Sequence, residues 1–155
     1  MQMEQKKLKL GKMMNIKNII FLFILLFGMQ FGVFSQKNIS KKLMGKWNWI
    51  ETSGGFGGYI VTPKTEGYSI QMEFTKKGEF KSFKDNIFNL EMKYKVELGK
   101  TIYSTEKKFI IQYIGANGAN NGMINDSFAF RDKDTLVLMQ ECTDCYTRVF
   151  VKMKK

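Results

Sequence analysis

The two cysteines of the chain, Cys142 and Cys145, have the C-x-x-C spacing that redox and metal sites both use. A redox pair needs a helix N-terminus to lower the pKa of its first thiol. This pair instead lies between two strand-like runs, 135–141 and 146–152. A zinc site needs four ligands, and the chain contains no histidine. We therefore predict a disulfide that clamps the last hairpin, with free thiols as the alternative.

The glycine-rich stretch 54–58, with the sequence GGFGG, resembles a phosphate-binding loop in composition only. A phosphate-binding loop continues into Lys-Ser/Thr and a helix. This stretch continues instead into an apolar run that begins at Tyr59 and ends before Pro63. We predict a mobile loop between the first two strands, because glycine clusters between strand-like runs are typical of surface loops.

Three tyrosines, Tyr68, Tyr94 and Tyr113, fall on predicted inward strand faces. Their hydroxyls either anchor a ligand in an apolar cavity or bond to one another and to buried water as core groups. The absence of histidine removes the commonest general base at neutral pH. Glu51 and Asp126 lie near strand ends, where we expect them to be solvated. The sequence therefore predicts no enzyme, no metal site and no cofactor.

Alternation of apolar and polar residues predicts antiparallel strands with one buried and one wet face. It is clearest over 68–75 and 88–98, and turn signals at 77–78, 85–86, 99–100, 117–118, 121–122 and 132–134 separate the segments. The predicted strands are 45–52, 68–75, 79–84, 88–98, 107–114, 123–131, 135–141 and 145–152. We predict an all-β fold, an eight-stranded antiparallel up-and-down β-barrel. Its interior is either filled by side chains or holds one small ligand.

The first 35 residues have the pattern of a secretory signal peptide. Five lysines precede an apolar block at 19–27, and Val33 and Ser35 stand at the −3 and −1 positions of a cleavage site. The alternative is a membrane anchor, but the block is short for the ~20 residues of a span. We predict a signal peptide at 1–35 and one domain at 36–155, exported to the periplasm or outside the cell and not membrane-spanning after cleavage.

The formal charge of +11 falls to +7 on this cleavage, because 20 basic and 13 acidic residues remain. Basic and acidic residues alternate along 91–97, which is typical of a solvated surface. Attraction to an anionic envelope component is the functional alternative. We predict no nucleic-acid partner, because Phe88 and Tyr94 lie on the strand face opposite Lys93 and Lys95.

The motif LMGKWNW at 43–49, followed by TSGGFGG at 52–58 and Thr62-Pro63, resembles the lipocalin-like domains of small exported bacterial proteins. The resemblance covers essentially the whole predicted mature chain. It implies an eight-stranded barrel whose open mouth admits a small apolar molecule. It also implies that Trp47 plugs the closed end and packs against Arg148, and that loop 54–58 lies over the mouth with Phe56 and Tyr59 as lid residues.

Sequence and resemblance together predict that a small hydrophobic or amphipathic ligand binds inside the barrel without chemical conversion. The residues predicted to contact it are Trp49, Phe56, Tyr59, Tyr68, Met72, Met92, Tyr94 and Tyr113. The alternative is a packed β-barrel scaffold that binds an envelope protein, a glycan or another anionic partner through its basic outer face.

Overall fold

In a computed structural model, residues 30–118, 120 and 122–154 are described, with side chains from residue 37 onward. The chain divides into two compact units, Met1–Lys37 and Asn38–Lys155. Helix α1 (Gln30–Leu43) begins in the first unit and ends in the second. The predicted cleavage point after Ser35 lies within α1, and the predicted apolar block of the signal peptide lies outside the described residues.

No helix in the described part of the chain is both long and apolar enough to cross a membrane.

The unit Asn38–Lys155 is an antiparallel sheet that closes on itself, which confirms the predicted eight-stranded up-and-down barrel. Strand β1 pairs with β9 on one side and with both β2 and β3 on the other, so β2 and β3 share one of the eight positions. The strands are β1 (Gly45–Gly54), β2 (Tyr59–Val61), β3 (Ile70–Phe74), β4 (Glu79–Lys84), β5 (Ile87–Thr101), β6 (Ser104–Ile114), β7 (Asp126–Phe130), β8 (Thr135–Gln140) and β9 (Tyr146–Lys152).

A short helix, α2 (Pro63–Glu66), separates β2 from β3, and neither α2 nor β2 was predicted from the alternation. Thr62 caps the helix: its hydroxyl accepts a hydrogen bond from the Thr65 amide at 3.3 Å, and the Thr65 hydroxyl accepts one from the Thr62 amide at 2.8 Å. The fixed φ of proline suits the first position of a helix, and proline has no backbone N–H to donate a hydrogen bond to a neighbouring strand. The local sequence therefore breaks the strand at this point.

The two turns that bound β5 show where the turn predictions succeeded and failed. Asp85 and Asn86 both have positive φ, 51° and 65°, as expected for the predicted two-residue hairpin turn. The turn predicted at 99–100 is wrong, because β5 and β6 remain paired as far as Thr101 and Ser104. Gly99 instead lies within β5 and leaves space for the side chain of Ile110, because a Cβ at Gly99 would lie 2.9 Å from Cδ1 of Ile110. Glycine in a strand often marks such a close approach.

The inward side chains pack into one continuous hydrophobic core. Ring centroids lie 5.3 Å apart between Phe74 and Phe80, and 5.0 Å apart between Phe80 and Tyr113. On the other side of the barrel, Phe130 lies 6.0 Å from Trp47 and 5.9 Å from Phe128. Such ring contacts have the spacing of packed aromatic pairs. The described inward side chains therefore fill the barrel by contacting one another.

One end of the barrel is closed by the last residue of α1. Leu43 is fully buried in the core, and its carbonyl accepts a hydrogen bond from the indole Nε1 of Trp47 at 2.8 Å. This bond satisfies the indole donor and one of the helix's terminal carbonyls together. Helix α1 and strand β1 are thus locked to each other at Trp47.

Candidate functional site

The structure divides the predicted ligand-binding residues into two groups. Five of them, Trp49, Met72, Met92, Tyr94 and Tyr113, are buried members of the hydrophobic core, and Tyr68 packs against that core. The two predicted lid residues are exposed: Phe56 to 98% and Tyr59 to 71%. With such exposure, neither side chain covers the interior in this structure.

The hydroxyls of the buried tyrosines bond to protein groups. Tyr94 donates to the carbonyl of Thr75 at 3.2 Å, and Tyr113 donates to the carboxylate of Asp126 at 2.8 Å. Burial raises the pKa of Tyr94 above its usual range. Each hydroxyl already has an acceptor within the fold, which favours the core interpretation of Tyr94 and Tyr113 over the ligand-anchor one.

Asp126 is 0% exposed, which corrects the expectation that it is solvated. It shares the inward face of β7 with Phe128 and Phe130, because side chains alternate along a strand. Nη2 of Arg148 lies 2.8 Å from Oδ1 and 2.7 Å from Oδ2 of Asp126, so the buried carboxylate is paired. Burial and then the negative charge of Asp126 raise the pKa of Tyr113 well above its usual range, so this hydroxyl stays protonated.

The cation that packs on Trp47 is Lys152, which corrects the partner implied by the lipocalin resemblance. Nζ of Lys152 lies 4.8 Å from the indole centroid and donates to the carbonyl of Lys42 at 2.8 Å. Burial lowers the pKa of Lys152. Arg148 lies earlier on the same strand, further from this end of the barrel, and pairs with Asp126 as described above. A lysine over an indole is a cation–π contact of the usual geometry.

Cys142 and Cys145 form the predicted disulfide within the turn between β8 and β9. Asp144 in this turn has a φ of 54°, in the left-handed region that Asp tolerates better than most residues. The disulfide fixes a turn whose carbonyl groups bond to two other turns of the barrel.

Three turns meet at this disulfide. The amide of Gly55, in the β1–β2 turn, donates to the carbonyl of Cys145 at 3.2 Å. In the β5–β6 turn, the amide of Ile102 donates to the Glu141 carboxylate at 2.9 Å, and the hydroxyl of Tyr103 donates to the carbonyl of Cys142. These bonds hold segments of the chain together that are far apart in the sequence.

Between the three turns lies a cleft of about 400 Å³, here called the turn cleft. Its lining combines two aromatic rings, a methionine, polar side chains and the backbone of the glycine-rich stretch. The lining residues are Gly54, Gly55, Tyr103, Met139, Gln140, Asp144, Cys145, Tyr146 and Thr147. This volume is within the ~300–1,000 Å³ of pockets that hold small ligands.

The glycines of the stretch 54–58 allow close contact at the turn cleft. A Cβ on Gly54 would lie 2.6 Å from the carbonyl oxygen of Cys145, and φ is 117° at this residue. A Cβ on Gly55 would lie 3.0 Å from the ring of Tyr146. The ring of Tyr146 therefore lies on the backbone of Gly55, and the φ of 70° at Gly55 favours glycine there. Both residues are placed by close packing in the turn that the sequence predicted to be mobile.

A second hollow of about 400 Å³ lies where β4, β5 and the end of β6 meet. Charged side chains line part of it, among them Glu79, Glu91 and Lys93. Nζ of Lys81 lies 3.2 Å from the Glu91 carboxylate and 4.0 Å from the Glu79 carboxylate, so one lysine pairs with both acids at the surface.

Sequence reasoning missed the turn cleft. Of the described residues that line it, none was among those predicted to bind a ligand. The available signals were weak: Tyr103 lies shortly after a glycine interpreted as a turn, and Tyr146 follows directly on Cys145. Asp126 could have been placed from the sequence, because it alternates in phase with Phe128 and Phe130.

No protein-family model and no curated protein sequence match this chain. Among solved structures, it is similar to a designed protein, described as the de novo design of a fluorescence-activating β-barrel. The two share 15% sequence identity over 74% of this chain and 96% of the designed one, with a TM-score of 0.41.

Proposed function

We propose that this protein is an exported, non-catalytic binding module whose filled barrel positions three turns around the turn cleft. The observation that carries this proposal is the separation of two regions. The interior is packed, whereas the cleft is open, is surrounded by turns that hydrogen-bond to one another, and is lined by both aromatic and polar groups. This proposal keeps the packed barrel of the scaffold alternative in the sequence analysis, but it assigns binding to the turn cleft and not to the basic outer face.

Packing of the interior is the main argument against a ligand within the barrel. Four large inward side chains are at most 2% exposed, namely those of Trp47, Phe74, Phe80 and Phe150. Inward rings contact one another between β3 and β4 and between β4 and β6. A ligand in the interior would have to displace such contacts. Protein interiors are close-packed, and displacing large side chains from them is unfavourable.

The competing proposal keeps the predicted apolar ligand inside the barrel. Its support is the barrel fold itself and the pair of inward methionines, Met72 and Met92, whose flexible side chains adapt to irregular shapes. Membership of the lipocalin-like bacterial proteins belongs to this same proposal and rests on the sequence motif alone.

Export is part of the proposal and is supported by the disulfide, since disulfides persist in oxidising compartments. The +7 charge of the predicted mature chain is compatible with a role at an anionic envelope. We propose no nucleic-acid partner and no catalytic step.

Overpacking distinguishes a filled interior from a hollow one. Leu138 is 0% exposed on β8, and Leu138→Trp adds a large ring to the interior. In a filled barrel we expect a loss of about 1–3 kcal/mol in the free energy of unfolding, measured by urea titration. Lys95→Trp, on the exposed face of β5, is the control and should change stability by less than about 0.5 kcal/mol.

Native mass spectrometry of protein purified from its own host supplies the second test. We expect any co-purified molecule to be lost in Thr147→Trp, which fills the turn cleft, and to be retained in Leu138→Trp. A tolerated Leu138→Trp together with a bound apolar molecule that this variant loses would overturn the proposal in favour of an interior ligand.

A further inference from the structure

We propose that the turn cleft binds a neutral oligosaccharide, with sugar rings stacked on Tyr146 and Tyr103. This inference rests on the proposed function and names the ligand class of the same cleft.

Both tyrosine rings are accessible yet held in place. Tyr103 is 54% and Tyr146 47% exposed. Tyr103 is fixed through the bond from its hydroxyl to the carbonyl of Cys142, and Tyr146 lies on the backbone of Gly55. The C–H groups on one face of a pyranose pack on the electron-rich face of an aromatic ring. Rings that are already ordered lose little conformational entropy when a ligand binds, which favours affinity.

The polar lining matches the hydroxyl groups of a sugar. Gln140, Asp144 and Thr147 offer an amide, a carboxylate and a hydroxyl, which together provide donors and acceptors. The side-chain oxygen of Gln140 accepts a bond from the amide of Tyr146 at 3.2 Å, so this amide group is oriented. A purely apolar ligand would leave such groups without partners when it excluded water from them, which is unfavourable.

The charge of the cleft selects against anions. Among its described lining residues, Asp144 carries a full charge, and it is negative. The basic residues that give the chain its positive charge lie outside this lining. An anionic glycan, phosphate or carboxylate ligand would therefore approach a negative side chain with no cation in the described lining to offset it. A neutral sugar avoids this repulsion.

The experiment is a titration of the purified protein with four neutral hexasaccharides, made of β-1,4-glucose, α-1,4-glucose, β-1,4-xylose and β-1,4-N-acetylglucosamine. Hexagalacturonate is the anionic comparison. Binding is followed by ¹H–¹⁵N NMR and isothermal calorimetry. We expect at least one neutral hexasaccharide to bind and to shift the amide signals of residues 54–55 and 144–147.

Tyrosine variants test the stacking itself. Tyr146→Ala and Tyr103→Ala should each weaken binding at least tenfold, whereas Tyr146→Phe, which keeps the ring, should stay within threefold. Tyr59→Ala is the matched control, because Tyr59 is exposed in the same region but is not part of the cleft lining. Its affinity should match that of the wild type. Circular dichroism of each variant checks that the barrel is folded.

The inference is overturned if none of the neutral hexasaccharides binds, if hexagalacturonate binds more tightly than all of them, or if both Tyr146→Ala and Tyr103→Ala bind like the wild type. Its failure is distinguishable from failure of the proposed function. If only the oligosaccharide inference fails, Leu138→Trp still destabilises the filled barrel and Thr147→Trp still removes any host-derived molecule. If the proposed function fails, these two variants do not have those effects.

Discussion

Asp126 and Arg148 form an ion pair within the barrel that constrains which substitutions the interior tolerates. The carboxylate is fully buried, and both of its oxygens lie within 2.8 Å of Nη2 of Arg148. Removing one partner of a buried pair leaves the other charge uncompensated, which typically costs about 3–5 kcal/mol. Asp126→Asn should therefore lower the free energy of unfolding by about 2–4 kcal/mol in urea titrations, the asparagine oxygen retaining part of the bonding.

Asp144→Asn is the control for this prediction, since Asp144 is exposed and asparagine tolerates its left-handed backbone. We expect Asp144→Asn to change the free energy of unfolding by less than about 0.5 kcal/mol. Equal effects of the two substitutions would show that the buried pair is not stabilising.

Tyr113 should make the free energy of unfolding decrease at alkaline pH. Its folded-state pKa is raised well above the usual range by burial and by Asp126, so the folded protein holds this proton more tightly than the unfolded chain does. The contribution of this proton to the free energy of unfolding is complete below the unfolded-state pKa of about 10, and it is lost as pH rises above that value. In urea titrations from about pH 8 to 11.5, the wild type should lose more stability above about pH 10 than Tyr113→Phe. Parallel curves for the two proteins would contradict the assignment.

At the scale of elements, we expect the glycine-rich stretch 54–58 to stabilise the fold by allowing close packing between turns. Gly54→Ala meets a positive φ and a carbonyl oxygen 2.6 Å from the new Cβ. Gly58 has a positive φ of 63°, but a Cβ added there would have no heavy atom within 4 Å. In thermal or urea unfolding, Gly54→Ala should lower the free energy of unfolding by about 2–4 kcal/mol, and Gly58→Ala by about 1 kcal/mol. The smaller loss is expected because Gly58→Ala introduces backbone strain alone, which costs about 1–3 kcal/mol. Similar losses at both positions would mean that close approach to Cys145 is unimportant.

The disulfide should matter more for the order of the turns than for global stability. Only two residues separate its cysteines, so its loop-closure contribution lies at or below the low end of the usual range of about 2–4 kcal/mol. In the double variant Cys142→Ser/Cys145→Ser, we expect a loss of about 1–2 kcal/mol. We also expect at least tenfold faster amide exchange at Gly55, whose acceptor is the carbonyl of Cys145.

The amide of Met153, which bonds to the carbonyl of Lys46 away from the disulfide, is the internal control and should exchange as in the wild type. Two free thiols in denatured protein purified without reductant would refute the disulfide itself.

At the scale of the whole molecule, the predicted export signal and the barrel occupy different parts of the chain. The second compact unit begins at Asn38, two residues after the predicted mature N-terminus at Gln36. Removing residues 1–35 therefore shortens α1 but retains every residue of this unit. N-terminal sequencing of protein from the host's exported fraction should read Gln36 first. An N-terminus before residue 19, with the apolar block retained, would contradict cleavage and favour the anchor.

Local patterns in the sequence were sufficient for the described strands other than β2 and for several turns. Over 91–96, alternate residues are buried and exposed as the period of two requires, because this alternation is a property of the extended backbone itself. The turn at Asp85 and Asn86 and the disulfide between Cys142 and Cys145 are also local, since each depends on residues within a few positions of one another. Gly99 was misread because glycine permits both a turn and a close approach.

Contacts between distant segments were decided by tertiary structure alone. Tyr103 meets Cys142 across 39 positions, Asp126 meets Arg148 across 22, and the ammonium of Lys152 lies on Trp47. Period-two patterning indicates which face of each strand is buried, but it does not fix how far neighbouring strands are offset when the sheet closes. That offset determines which turns converge at one place. The barrel was therefore readable from the sequence, whereas the turn cleft exists only because closure brings three separate turns together.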